Sequence, residues 1–247
     1  MPLRLITVDL WNTLLGAAGS AQRHNARMER LRAYALSYGR EPQPQELQQA
    51  LQRAWEYYNA CWRGQQRTPT VVELTEILWR HLGLPHDPAR LARLAEELAA
   101  DILDHPPPLL PGARTALQQL AARYPLGLIS DTAFSPGSVL RELLRRYGIA
   151  ELFTAFSFSD ETGVAKPHPH AYRAVLTHLG TLPEQALHIG DLEETDILGA
   201  KQLGMHAVLF LGDSDSEFPK PQHTRADAIA THWEQVPQLI EQLQTAP

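Results

Sequence analysis

The chain has 247 residues, 44% of them hydrophobic and 20% charged, with a formal net charge of −6 at pH 7. That length suits one large domain or a core carrying an insertion, and that composition favours a packed core over disorder. An acidic balance with no dense Lys/Arg run argues against nucleic acid as a partner. No run approaches the roughly 18–20 apolar residues of a membrane span, and the amino terminus lacks the order of a signal peptide. Cys61 is the only cysteine, so no intramolecular disulfide forms. The expectation is a soluble, cytoplasmic protein without a membrane or nucleic-acid partner; oligomeric state is left open.

Leu5-Ile6-Thr7-Val8 is a short apolar, β-branched run that predicts a buried strand of a parallel sheet. Asp9 stands where that strand stops, and Asn12 tolerates the left-handed backbone of a tight turn. Open α/β sheets bind ligands at the carboxyl ends of central strands, so Asp9 is a candidate site residue. Gly16 to Ser20 reads as a flexible hinge by composition. From there to His105 nothing reads as a strand. Residues 21–38 predict one helix. Leu47/Ala50/Leu51/Ala54, Val71/Thr75/Leu78 and Leu91/Leu94/Ala95/Leu98 recur at helical spacing and predict three more. Pro42, Pro44, Gly64 to Pro69 and Gly83 to Pro88 separate them, and Pro106-Pro107-Pro108 closes the block as a rigid linker.

Beyond residue 108 helices alternate with strands, the mark of a parallel sheet. The predicted strands are Leu126–Ile129, Phe153–Phe158, Ala186–Ile189, His206–Leu211 and a short one at Ala228–Ile229. The helices between them lie near Ala113–Ala121, Ser138–Tyr147, His170–Leu179 and Thr195–Leu203, the last ending at Gly204, and Val236–Leu243 closes the chain. Residues 1–15 and 107–247 therefore form an α/β core, and 16–106 an all-helical insertion that leaves the sheet just after an acid. An insertion so placed suits a cap that excludes water and chooses the substrate.

Three further segments end strands or fill loops with polar groups: Ser130-Asp131-Thr132, Lys166-Pro167, and Gly190-Asp191 through Asp196. In a parallel sheet all of them converge on Asp9. In this order and spacing they resemble the haloacid dehalogenase superfamily over nearly the whole chain. Asp9 to Thr13 match its first motif, Ser130 the second, Lys166 with Pro167 the third, and Gly190-Asp191 with Asp196 the fourth. The helical block sits between the first and second motifs, as caps do in one large branch. The resemblance implies a Rossmann-like core, Asp9 as nucleophile with Thr13, Ser130 and Lys166 as its catalytic companions, and Mg²⁺ held by Asp9, Asp191 and Asp196. Trp11, Asp131, Thr132 and Arg40 are then the candidate substrate contacts. A carboxylate nucleophile divides a hard hydrolysis into two easier steps. Clustered carboxylates repel one another unless a cation intervenes, and Mg²⁺ prefers such hard oxygen ligands.

One position departs from the pattern. Phosphatases of the superfamily carry a second Asp two residues after the nucleophile, as general acid and base; here that residue is Trp11. Indole moves no proton, and losing such a group costs about 10²–10⁴ in rate. Asp131, Glu193 or Glu194 could supply a proton from another direction. An aromatic residue there also resembles the dehalogenases proper, which release halide without protonation and without metal. Those enzymes typically lack the leading acid retained here as Asp191. The branch that forms a Schiff base on a cap lysine is excluded, since no Lys lies between Leu15 and Ala165. The resemblance thus implies a Mg²⁺-dependent phosphatase acting on a small phosphorylated molecule through an Asp9 phosphoryl intermediate; the alternatives are a metal-independent 2-haloacid dehalogenase and an inactive binding relative. Four simpler readings complete the sequence. His168 and His170 flank a helix start rather than a zinc ion; His188 is a hydrogen-bonded structural residue; Trp55, Tyr57, Tyr58, Trp62 and Trp79 are core of the helical block; Asp213, Asp215 and Glu217 form a solvated loop.

Overall fold

A computed structural model describes residues 3–245. Its backbone is organised by β1 (Leu5–Val8), whose four residues are all buried. A strand buried on both faces needs neighbours on both edges. β1 pairs in parallel with β2 (Leu126–Ser130) on one side and with β4 (Ala186–Gly190) on the other. Outside these lie β3 (Ala155–Phe158), β5 (His206–Phe210) and β6 (Ala228–Ala230), giving a six-stranded parallel sheet in the order β3-β2-β1-β4-β5-β6. The order reverses at β1, so the crevice beyond its carboxyl end is where such sheets receive ligands.

The chain separates into two compact units. The first runs up to Ala18, covers Pro107–Asp131, and continues from Leu144; the second comprises Gly19–Pro106 and Thr132–Leu143. In the first, α5 (Ala113–Ala121), α7 (Ser159–Thr162), α8 (Pro169–His178), α9 (Leu198–Gln202) and α10 (Val236–Thr245) accompany the sheet, and α6 (Gly137–Arg146) runs from the second unit into the first. Tyr172, Val175 and Leu176 of α8 pack with Leu5, Ile129 and Leu209. Gly127 admits that helix, since a Cβ there would stand 2.5 Å from the Val175 Cγ1 atom. Trp233, fully buried, donates its indole N–H to the Thr13 carbonyl at 2.7 Å and so braces the turn after β1 from below.

The second unit holds α1 (Ser20–Ser37), α2 (Pro44–Gln65), α3 (Val71–His81) and α4 (Pro88–Asp104). Pro44 and Pro88 occupy first helical turns, where a missing N–H costs nothing. Thr70 and Glu73 form a capping box on α3. Leu31, Leu51, Leu74, Leu78, Leu94, Leu98 and Phe134 make its core. Trp79 is buried there and Trp55 and Tyr58 pack against it, as expected. Tyr57 does not belong to that core: it is exposed, and its hydroxyl meets Glu73 and Arg67. Helical spacing alone does not separate the rim of an apolar stripe from its centre.

Four more local expectations need correction. Phe153–Phe158 is shorter as a strand, because a 3₁₀ turn at Ala150–Leu152 delays β3 to Ala155. Thr195–Leu203 is not one regular helix: Glu193–Ile197 is wound as a π turn before α9 begins. Asp213 is not solvated but buried, accepting the N–H groups of Ala17 at 2.8 Å and Asp215 at 3.1 Å. Those contacts, with Gly16 N–H donating to the Pro108 carbonyl at 2.9 Å, tie down the start of the stretch read as a flexible hinge. Among the described residues no helix is long and apolar enough to cross a membrane.

Candidate active site

Asp9 continues β1 by one residue, its N–H donating to the Ile189 carbonyl at 2.8 Å, and its side chain is buried. The chain then turns sharply through Asn12, which takes a left-handed φ of 54°. The turn brings the Asn12 amide to Asp191, to which it donates at 3.3 Å. The Lys166 ammonium forms ion pairs with Asp9 and, at 2.6 Å, with Asp196. Carboxylate oxygens of Asp9, Asp191 and Asp196 all lie within 4.8 Å of one another. The four strand-end segments expected to converge do meet, at the sheet's reversal point.

The π turn explains how Asp196 reaches this cluster. The Tyr172 hydroxyl donates to the Thr195 carbonyl at 2.7 Å, and the Leu192 N–H donates to the Asp196 Oδ2 atom at 3.0 Å. The turn folds the carboxylate back beneath the end of β4, over Gly190. A Cβ on Gly190 would overlap that carboxyl group outright. Gly190→Ala is therefore expected to destabilise the protein by about 1–3 kcal/mol through overpacking. The same change should displace Asp196 from its partners; thermal melts measure the loss, and a variant as stable as the parent would refute this account of the glycine.

The charges are unequal. Burial pushes the Asp9 carboxyl up to about 7 against the pull of Lys166, with Asp196 adding repulsion. Burial raises Asp191 well above the usual carboxylate range, and the neighbouring Asp9 and Asp196 raise it further. Burial acts on Asp196 too, but Lys166 and His188 outweigh it and hold this acid below its ordinary value. Burial lowers His188 against the pull of Asp196. Its neutral form then donates from Nε2 to Asp196 at 3.0 Å and accepts the Thr7 hydroxyl at Nδ1, 2.9 Å away. His188 is thus the structural residue expected, with a further task in orienting Asp196. A histidine inside an apolar strand was the signal for it.

Ser130 is buried at the end of β2, its hydroxyl donating to the Asp131 carbonyl at 3.3 Å. Asp131 clasps two segments: its carbonyl accepts the Trp11 indole N–H at 3.1 Å, and its carboxylate accepts the Lys166 backbone N–H at 3.0 Å. Glu193 is committed elsewhere, accepting from the Thr224 hydroxyl at 2.6 Å and the Arg225 N–H at 3.0 Å. Glu194 is exposed. Thr13 is buried, and its hydroxyl has no hydrogen-bond partner. Thr132 is buried and groups with the helical unit; Arg40, also of that unit, is ion-paired with Glu46. His168 caps α8 by accepting the His170 N–H at 3.2 Å, as a helix start requires.

The donor set fits a divalent cation. Three carboxylates against one ammonium leave a formal surplus of two negative charges in a largely buried cluster. Hard oxygen ligands of this kind are what Mg²⁺ takes.

Fold and comparisons together define a hydrolase. A family model described as haloacid dehalogenase-like hydrolase matches residues 3–204, and the chain belongs to that family. The glyceraldehyde 3-phosphate phosphatase of Pyrococcus furiosus is 33% identical over 138 residues, 55% of this chain and 54% of the relative, so the match spans about half the length of that protein. The phosphoserine phosphatase of Thermus thermophilus is 29% identical over 231 residues, 83% of this chain and 88% of the relative. The fold is similar to that of a 2-haloacid dehalogenase from Pseudomonas syringae pv. Tomato DC3000, with a TM-score of 0.73 at 22% identity over 98% of this chain and 99% of that one. At that identity the likeness is one of fold.

Proposed function

We propose that this hydrolase is a Mg²⁺-dependent phosphatase acting on a small phosphorylated metabolite through an aspartyl-phosphate on Asp9. The observation that carries the reading is the Asp9–Lys166 ion pair set beside Asp191 and Asp196 at the end of β1. An Asp9 carboxylate oxygen forms a bond to phosphorus while the bond from phosphorus to the leaving oxygen breaks. Water then attacks the acyl phosphate, releasing inorganic phosphate and regenerating the carboxylate. Lys166 favours the ionised form of Asp9 against the burial that raises it, and offsets charge on the transferring group. Ser130 lies at the end of the neighbouring strand to donate to a phosphoryl oxygen. Asp9 and Asp191 would hold the cation directly. Asp196, whose oxygens are already engaged by Lys166, His188 and Leu192, would act through water. A bound cation supplies charge neutralisation and alignment of the phosphoryl oxygens. In the same reading residues 16–106 are the cap, residues 1–15 and 107–247 the catalytic core.

Trp11 limits the range of leaving groups. With no acid two residues after the nucleophile, aryl and acyl phosphates are favoured over alkyl esters. The test measures phosphate release from p-nitrophenyl phosphate and acetyl phosphate with Mg²⁺ or with EDTA, and chloride release from 2-chloropropionate. Phosphate release that falls by about 10² or more in EDTA supports the proposal. Release that survives EDTA overturns it, and chloride release establishes the dehalogenase instead. Absence of turnover, with a metabolite raising the melting temperature, establishes a binding relative.

Linkage adds a second expected result. Asp9 and Asp191 have folded-state pKa values above their unfolded ones. The metal-free protein therefore loses stability as pH rises from about 4, where the unfolded carboxylates ionise, towards 7. Mg²⁺ competes with those protons, so its melting-temperature increment should be larger at pH 8 than at pH 5. Equal increments at both pH values would contradict carboxylate ligation.

A further inference from the structure

A cavity of about 210 Å³ is lined by Asn12 and Asp191, by Phe210 and Leu211, and by the loop after β5. That is room for a small metabolite fragment. Of the loop from Gly212 to Pro221, Ser214, Ser216, Phe218, Pro219 and Lys220 line the cavity, while Asp215 and Glu217 do not. Asp213 also borders the space, but its two carboxylate oxygens are taken by the N–H groups of Ala17 and Asp215. The loop therefore brings Ser214, Ser216 and Lys220 to the cavity together with Phe218 and Pro219, while Asp215 and Glu217 do not line it and Asp213 is already satisfied. Lys220 is one of three lysines in the chain. Lys166 is committed to Asp9 and Asp196, and Lys201 to Asp227.

We propose that this cavity is a subsite for the non-transferred end of the substrate, and that Lys220 with Ser214 and Ser216 binds an oxyanion there. The substrate class is then a small phosphoester whose leaving group carries a carboxylate. The inference rests on the phosphatase reading and assigns part of the substrate choice to the core's own loop rather than to the cap alone. A hard cation site and a donor-bearing loop divide the work: the first receives the phosphoryl group, the second the acid.

The test compares Lys220→Met with the parent protein on 2-phosphoglycolate and on ethyl phosphate, which lacks the carboxylate. KM for 2-phosphoglycolate should rise about tenfold, the scale of one charge-assisted hydrogen bond in a partly open site, with kcat unchanged. Values for ethyl phosphate should stay within about twofold, and Lys220→Arg should restore most of the loss. Equal effects on both esters, or none on either, overturn the subsite. If the parent protein hydrolyses neither alkyl ester, calorimetry decides the subsite alone; the phosphatase reading fails only if p-nitrophenyl phosphate and acetyl phosphate are not hydrolysed either. In the Asp9→Asn background with Mg²⁺, Lys220→Met must then weaken 2-phosphoglycolate binding about tenfold and leave ethyl phosphate unchanged; equal affinities refute it.

Discussion

Lys166→Met is expected to destabilise the metal-free protein by about 3–5 kcal/mol at pH 8, the cost of stranding buried charge. Phosphate release should fall by at least about 10²–10³ at the same time. The ammonium is buried and touches both Asp9 and Asp196, themselves buried. Burial works against its charge, yet the two carboxylates raise its pKa well above the ordinary lysine value. Methionine keeps most of the volume and removes the charge, so the loss is electrostatic rather than a cavity. The pH dependence distinguishes the two. In the parent protein Asp196 is held below its ordinary value. Its stabilisation is present above the unfolded pKa of about 4 and is lost as pH falls through the lower folded value. Without Lys166 both acids should titrate upwards, so the variant loses stability as pH rises from about 4 and recovers part of its deficit at pH 5. Urea unfolding in EDTA at pH 5 and pH 8 measures this directly. A deficit independent of pH would show that packing, not charge, dominates.

The chemistry at the sheet's edge was legible because each functional group ends an apolar run. Val8 before Asp9, Ile129 before Ser130 and Ile189 before Gly190-Asp191 announce strand, stop and polar group within a few residues. Once three such segments are strands of one parallel sheet, convergence follows from topology. Side-chain direction beyond those ends was not legible. Asp213 lies in a run of acids and serines that reads as solvated, and a distant backbone donor, the Ala17 N–H, adds to the local Asp215 N–H in holding it buried. Glu193 reads as a spare acid until Thr224 and Arg225 claim it. Both partnerships bridge residues far apart in sequence, and period and propensity carry no information at that range.

The π turn shows the same limit at shorter range. Thr195 to Leu203 has helical spacing and a glycine stop, so a regular helix is the simplest expectation. What overrides it is a carboxylate that must reach Lys166, His188 and the Leu192 N–H at once. One extra residue per turn re-aims Asp196 without breaking the chain's entry into α9, a use to which π turns at functional sites are commonly put. Gly190 belongs to this arrangement, because the space a side chain would need is where Asp196 folds back. The glycine and the acid six residues later are thus two halves of one packing requirement.

Trp11→Asp should raise hydrolysis of alkyl phosphomonoesters by about 10² or more, within the range a positioned general acid supplies. The indole is half-buried and fastened by its N–H to the Asp131 carbonyl, so it acts as a strut between the first two strand ends. Replacing it removes one hydrogen bond and some apolar burial, costing about 1–3 kcal/mol, which Mg²⁺ binding should offset in part. The gain should be selective. An alkoxide leaving from a simple ester needs a proton, whereas acetate leaving from acetyl phosphate does not, so only the first should accelerate. Trp11→Asn loses the same ring without gaining an acid, and its rate on alkyl esters should not rise. Steady-state rates for ethyl phosphate and acetyl phosphate in the three proteins, each checked for a Mg²⁺-dependent melting shift, provide the comparison. Equal rates on ethyl phosphate in the Asp and Asn variants, both folded and binding Mg²⁺, would place the rate limit somewhere other than proton transfer at position 11.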